Sequence, residues 1–475
     1  MRRRRGGGMW VVLILAGVLL ALLAWQFMGY RRSLRGLPAG MTVAGLDVEG
    51  RTIDQVVDEL GSAFAQPVQL TYRDQALALT PESVAFQFDP EGTRAALELA
   101  VQGRAGVKGF LAYLLRRPPE RVEVLPAATY SVDRLEGFLN MVAQQSDHPP
   151  QEPVPIPESR TFRAGRPGYA LDHEASRQRV ADALLSAVDR EADLVVHIGE
   201  APPLEMAHLE EMLEALVADF AGVPSIFVKD LQTGEELEIN PAVAYAGTGV
   251  LKIAVLVEAY RALDEPPTVE QMHWITQTMT GNDNLYANRL LQDVIGHGDV
   301  YQGAQNLTTS MVYLGLLNTF VAAPYDVEEV PFTVVTPANS RTDINTQAGP
   351  DMQTTASDIG LLLEMIYHCS TGGGALMVAY PGAFTPQECQ QMLEVMAQNQ
   401  TDSLIEVGLP PETPLAHKDG WVGHTHADAA IVFGPAGDFL LVVFLHQPNW
   451  LAWELSNPLV ADIAAATYNF FNPLE

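Results

Sequence analysis

Residues 203–475 of this 475-residue chain hold 34 acidic side chains and only six basic ones, so their few cations stand out as candidates for chemistry. Three of the six are lysines, Lys229, Lys252 and Lys418. Lys252 comes three residues after Gly249 and four after Thr248 in AYAGTGVLKIAVL. On a helix both spacings fall on one face, which would set the ammonium beside the Thr248 hydroxyl. Lys418 lies in HKDGW, and two amides and an acid cluster as Asn282-Asp283-Asn284 in TGNDNLYANRLL. Cationic side chains in a low-dielectric cleft can focus an anionic group despite acidic surroundings. A second chemistry is suggested by GHTHAD, which spaces His424, His426 and Asp428 as H-x-H-x-D, with His417 upstream. Imidazoles two apart on a turn can share a zinc ion. The histidine that would complete the set is missing, since Ala429 comes after Asp428, and the plainer reading is a polar hairpin turn with two solvated imidazoles. No metal and no cofactor are expected. STGGG at 370–374 reads as a flexible loop, because it lacks a G-K-[ST] after it.

The elements that would hold these residues are legible from periodicity. EMAHLEEMLEALVADF (205–220) has helical apolar spacing. SIFVKDL (225–231), a turn, and ELEIN (236–240) read as a hairpin. A helix should start near Gly249 and run through Arg261, and helices and loops fill the middle. DAAIVFG (428–434) and FLLVVFLH (439–446) form a second hairpin, and a last helix covers 457–471. The order helix, strands, helical insert, strands, helix fits an antiparallel sheet flanked by helices.

With its motifs, this order resembles the class A β-lactamase and penicillin-binding-protein superfamily over about 270 residues. That family carries S-x-x-K, S-D-N and K-T-G in sequence. The resemblance implies a nucleophile at a helix start, a lysine one turn on that helps remove its proton, an amide that holds substrate, and a strand-edge cation facing the substrate carboxylate. Lys252, Asn284 and Lys418 match the family positions, while Gly249 stands where the nucleophilic serine would, Asn282 replaces the second serine, and Asp419 replaces threonine before the matching Gly420. The implied substrate-binding positions are Asn282, Asp419 and Gly420. TTASDIGLLLEMI (354–366) and LGLLNT (314–319) also fit. No glutamate that could activate a deacylating water is evident before Thr354; Asp343 and Asp351 are the nearest acids and receive no role. The resemblance therefore implies a domain that has lost the usual acyl-enzyme route, with Thr248 as the one substitute nucleophile.

The remainder of the chain divides by charge. The formal net charge of -30 splits into about +7 for 1–36, -9 for 37–202 and -28 for 203–475. So acidic a chain is a poor partner for nucleic acid, whose phosphates need clustered Lys and Arg. With 48% apolar residues it is not a disordered chain. Arg2–Arg5 precede an uncharged apolar stretch through Tyr30, long enough for a ~30 Å hydrocarbon layer, with no small-x-small cleavage site. Residues 1–36 thus read as a cytoplasmic Arg tail and a retained single-pass anchor in the cell membrane, the rest being extracytoplasmic. In that compartment Cys369 and Cys389 can form a disulfide; the alternative is two separate buried thiols.

Between anchor and C-terminal domain, AGLDVEGRTIDQVVDEL (44–60) and PGYALDHEASRQRVADAL (167–184) each run Leu-Asp, polar turn, amphipathic helix. Thr52, and Asp172 or Ala175, should lie near the helix starts. Residues 37–147 form one α+β module, 148–158 a Pro-rich extended linker, and 159–202 a second half-module. LPAGMTVAGLDVEGRT, with the helix and two strands expected after it, resembles the peptidoglycan-binding-like domain found beside VanW and some L,D-transpeptidase domains. The fold class is then α+β: a transmembrane helix, small α+β modules and a β-lactamase-like domain over 203–475. The expected protein is a membrane-anchored, catalytically degenerate relative of these hydrolases. Its partners would be cell-wall peptide, a β-lactam-like carboxylate or a protein. Two alternatives stay open: an active β-lactamase or D,D-peptidase using Thr248, and a purely structural wall- or partner-binding protein.

Overall fold

The computed structural model describes residues 7–102, 106–117, 121–327 and 329–473. Arg2–Arg5 lie outside them. The N-terminal helix Gly7–Ser33 contains one stretch, Val11–Ser33, long and apolar enough to cross a membrane. Most of its apolar side chains are exposed, Leu20 at 68%, while Tyr30 near its end is buried. Length and composition are those of a membrane anchor or a signal sequence. The chain divides into two compact units, residues 1–151 with 166–202, and 152–165 with 203–475.

The first unit has two small cores. In one, strand Val68–Tyr72 pairs antiparallel with Gln75–Leu79 and parallel with Glu191–Asp193, and helices Val132–Ser146 and His173–Leu185 cover it. In the other, Met41–Val43 pairs with Leu46–Asp47 and Val122–Val124 under helices Ile53–Phe64 and Pro90–Val101. The two similar stretches start their helices alike. Thr52 accepts a hydrogen bond from the Gln55 amide, which is reciprocated, and Asp172 accepts one from the Ala175 amide.

The Pro-rich stretch departs from the linker expectation. Val154–Ile156 and Thr161–Arg163 pair as a hairpin that belongs to the C-terminal unit. Phe162 packs edge-on against Phe470 at 5.9 Å, and Asn469 donates to the Arg160 carbonyl. Burying Phe162 outweighs the freedom of an extended spacer, and Pro155 is tolerated because strand edges need no donor there.

The C-terminal unit is built on a five-stranded antiparallel sheet. Its strands are β1 (Val223–Asp230), β2 (Glu236–Ile239), β3 (Leu415–Val422), β4 (Thr425–Gly434) and β5 (Gly437–His446), in the order β2-β1-β5-β4-β3. Alternating side chains feed two cores, as period 2 requires. Ile226, Val228, Leu441 and Val443 meet helices α1 (Met206–Val217) and α8 (Trp453–Phe471) on one face. Phe227, Leu440, Val442 and Phe444 meet α2 (Lys252–Ala262), α6 (Ala356–Ser370) and α7 (Pro386–Met396) on the other. The helical middle also contains α3 (Val269–Thr280), α4 (Asn284–Arg289) and α5 (Val300–Tyr313). A disulfide, Cys369–Cys389, joins α6 to α7 with Cα atoms 5.7 Å apart. The fold class is the expected mixture of helices and antiparallel sheet.

A three-stranded sheet makes the site. Tyr245–Ala246 and Phe320–Val321 both pair with Met352–Thr354. The segment entering α2, the segment after Val321 and the segment before Met352 therefore converge. Thr319 and Thr354 share a hydrogen bond, and Thr319 also donates to the buried Asp358 at 2.8 Å.

Candidate active site

The start of α2 is a tight turn. Gly249–Leu251 is a single 3₁₀ turn, and the Thr248 hydroxyl accepts from the Val250 amide at 3.5 Å. Lys252 is 1% exposed, and its ammonium donates to Asn282 Oδ1 at 2.9 Å and lies 5.3 Å from the centre of the Tyr325 ring. Burial, and then repulsion from Lys418, lower its pKa to about 7, with Asp283, Asp326 and Asp419 opposing.

The N-D-N turn supplies that partner. Asn282 takes a left-handed backbone (φ 48), which asparagine tolerates, and points its amide oxygen at Lys252. Asp283 caps α4 through the Leu285 amide. Asn284 Nδ2 lies 3.0 Å from each oxygen of Asp326. Asn288, one turn on, holds the same segment by donating to the Tyr325 carbonyl and accepting from the Tyr325 amide, both at 2.9 Å.

Strand β3 brings Lys418 inward. The ammonium is buried and donates to its neighbour's carbonyl, Asp419 O, at 2.8 Å and to Asp419 Oδ1 at 3.0 Å. Asn399 donates to the same carboxylate oxygen. Burial pushes the Asp419 carboxyl up, but Lys418 and the Asn399 hydrogen bond outweigh it and leave its pKa lowered. His417 is buried beside them with Nδ1 3.0 Å from Asp428 Oδ1 and Nε2 3.0 Å from the Asn399 carbonyl. Burial opposes its protonation, yet the Asp428 charge prevails and its pKa is raised. Two acceptors around one ring suit the imidazolium.

Between β3 and the α2 turn the contact is backbone on backbone. A Cβ on Gly249 would lie 2.4 Å from Asp419 O and 2.7 Å from Asn282 Oδ1. A Cβ on Gly420 would lie 2.0 Å from the Gly249 nitrogen. Both are far inside van der Waals contact, so two glycines let the strand close on the helix start.

Beside this seam opens a cavity of about 370 Å³. Thr248, Asn284, Tyr325, Asp326, Asp351 and His424 are among its lining residues, with Trp421 at its edge. Gly249 and Asn282 also line it, whereas Lys252, Lys418, Asp419 and Gly420 do not. Tyr325 and Asp326 had no motif to announce them. Only the amide pair Asn284 and Asn288, at helical spacing, signals that α4 holds something.

The H-x-H-x-D residues are not a solvated turn. Only His424 sits there; His426 and Asp428 are buried in β4. Their side chains diverge, His424 to Thr425, His426 to Ser456 Oγ at 2.6 Å, and Asp428 to His417 and the Ile405 amide. The reason is that strand residues on one face still meet different neighbours along its length. Among the described residues no three His, Cys, Asp or Glu side chains gather as a metal site. Thr425 links His424 to the buried His446, whose pKa burial lowers to about 4.

The model of the beta-lactamase enzyme family matches residues 208–272 and 265–471, the stretch that carries the sheet, the seam and the cavity. Among curated proteins nothing matches significantly. Solved structures similar to the chain include PBP-A (18% identity, TM-score 0.43, 57% of this chain and 99% of that one). A beta-lactamase from Desulfarculus baarsii gives 15% identity and a TM-score of 0.44, over 57% of this chain and all of that one. A beta-lactamase from Sphaerobacter thermophilus gives 16% and 0.42, over 57% and 98%. The family match spans more than half of the sequence, and the chain belongs to the beta-lactamase enzyme family.

Proposed function

We propose that the C-terminal unit is a non-acylating member of this family that binds a small ligand, peptide-like in size, on a chain anchored in the membrane with its folded units outside the cytoplasm. The observation that carries this reading is the seam at Gly249: no side-chain hydroxyl is present, and the Asp419 carbonyl oxygen lies only 2.4 Å from where a Cβ would be. Loss of an activated nucleophile removes most of the rate, on the order of a millionfold where it has been dissected. Lys252, Asn284 and Lys418 keep the family's residue types, but here they serve Asn282, Asp326 and Asp419. A β-lactam-like carboxylate would find no free Lys or Arg in the cavity among the described residues, which favours a cell-wall peptide or a protein segment as ligand. Residues 37–147, read as a peptidoglycan-binding-like module, and 159–202, read as its second half-module, would hold the domain near the wall.

The test is mass spectrometry of the full chain after incubation with a labelled penicillin, together with nitrocefin turnover. Unchanged mass and no turnover are expected. An acyl adduct on Thr248 would overturn the reading in favour of a working hydrolase. Retention on purified sacculi tests the wall contact, and an alkaline carbonate wash that releases the chain from membranes would refute the anchor.

A further inference from the structure

The sign of charge around the cavity is opposite to what the lysine positions suggest. Two carboxylates, Asp326 and Asp351, line it, and no Lys or Arg does so among the described residues. Lys418 is buried and paired with Asp419, and Lys252 is buried behind the face of Tyr325. His424, the other titratable group on the lining, is held below its usual pKa by burial and is neutral at pH 7. Asp326 is fixed by two hydrogen bonds from Asn284. The Asp351 carboxylate has no hydrogen-bond or ion-pair partner among the described residues.

An independent observation is the Tyr325 hydroxyl. Tyr325 is 6% exposed and lines the cavity, yet its Oη has no hydrogen-bond partner among the described residues. A buried hydroxyl left unpaired costs about 1–3 kcal/mol, so such a group marks a place where a polar ligand atom would be stabilised. The Asp351 charge acts on this same hydroxyl. An ammonium group brings three N–H donors and a positive charge; two carboxylates and a phenol oxygen supply three acceptors and a negative field. A carboxylate ligand would enter against two like charges.

We propose that the cavity recognises an ammonium group, carried by a small amine or an amino-bearing peptide, between Asp326 and Asp351 with Tyr325 Oη as third partner. Trp421, 51% exposed at the edge of the cavity, would cover the ligand's apolar stem. This inference rests on the non-acylating, ligand-binding reading and names the chemistry of that ligand.

The experiment is calorimetric titration of the full chain in detergent with cadaverine, and with glutarate, its dicarboxylate counterpart of the same carbon count. Saturable binding of cadaverine and none of glutarate is expected. Asp326→Asn and Asp351→Asn should each weaken cadaverine about tenfold or more, and Tyr325→Phe several-fold, with unchanged melting temperature for Tyr325→Phe. Asp351→Asn carries the test if Asp326→Asn fails to fold, because the Asp351 side chain holds no other residue. Binding of glutarate as tight as cadaverine overturns the proposal. So does cadaverine binding that ignores the Asp351 and Tyr325 substitutions, or no saturable binding. A penicillin adduct would refute the non-acylating reading alone and leave the titration to judge the ammonium site.

Discussion

Placing a hydroxyl at the start of α2 by Gly249→Ser should not yield a working nucleophile, and the structure gives the reason and the size of the effect. The new Cβ would meet Asp419 O at 2.4 Å, Asn282 Oδ1 at 2.7 Å and Gly420 Cα at 3.0 Å. Ordinary contacts begin near 3.4 Å, so the strand must retreat by roughly 1 Å. It is not free to do so, because Asp419 and Gly420 pair with Asp428 and Ala427 of β4. Overpacking of this kind costs about 1–3 kcal/mol, which for a unit of this size lowers Tm by on the order of 2–10 °C. Because the clash is with Cβ itself, Gly249→Ala should cost about as much as Gly249→Ser. Gly420→Ala, whose Cβ would strike the Gly249 nitrogen from the other side, should do the same, and combining it with Gly249→Ala should be non-additive since one retreat relieves both. Thermal unfolding of the three single variants and the pair measures this. Incubation of Gly249→Ser with penicillin, read by mass spectrometry, should show no adduct. A Gly249→Ser protein that melts with the wild type and is acylated would refute the closed seam.

Three further perturbations probe other parts of the molecule. Lys252, with a folded pKa of about 7 against about 10.5 unfolded, is deprotonated in the folded state and protonated in the unfolded one between those values. Folding stability should therefore rise as pH goes from 7 to 10, and Lys252→Met, stabler at pH 6 by a few kcal/mol at most, should lose that advantage; a difference flat across this range in denaturant titrations would contradict it. His446, depressed to about 4, binds fewer protons folded than unfolded, so stability should fall by up to about 3 kcal/mol from pH 6.5 to 4, and His446→Gln should flatten this slope in urea titrations. Replacing Cys369 and Cys389 together by alanine opens a cross-link across 20 positions and should cost about 2–4 kcal/mol, seen as a lower denaturation midpoint; an unchanged midpoint would contradict a stabilising bridge.

The sequence exposed what depends on local pattern. Thr52 and Asp172 cap their helices, the two hairpins of the sheet pair near their expected ends, and the α2 helix begins after a turn at Gly249. Such features arise from spacing within a few residues. What stayed hidden depends on distance through space. The seam joins Gly249 to Gly420 across about 170 positions, and glycine at either site has many local explanations. Asp326 belongs to no motif; it enters the cavity because Asn284 and Asn288 reach from α4 to a distant segment of the chain. His426 reads as a turn residue because polar side chains two apart are common in turns, and only its partner Ser456 explains its burial. The hairpin at 154–163 is masked by the prolines in and beside its first strand, whose partner strand carries the Phe162 that anchors on the last helix.

The lysines tie the seam to the cavity. Two of the three lysines after residue 203 are those that the motif resemblance sets on family positions, a reading that points to anion binding. A buried cation needs a partner, and each has one inside the protein: Asn282 for Lys252, Asp419 for Lys418. Removing one member of a buried pair leaves an uncompensated charge, typically at a cost of about 3–5 kcal/mol. Lys418 and Asp419 are thus held together by stability alone, with no ligand required to explain either. A threonine at 419 would have left the ammonium without this neighbouring carboxylate. The same residue's carbonyl fills the space beside Gly249. Closing β3 on the helix start therefore withdraws the space for a nucleophile and places the Lys418 charge in internal pairing. With that cation withdrawn, Asp326 and Asp351 set the sign of the cavity, so the proposed loss of acyl chemistry and the proposed reversal of ligand charge would be linked consequences of one strand position.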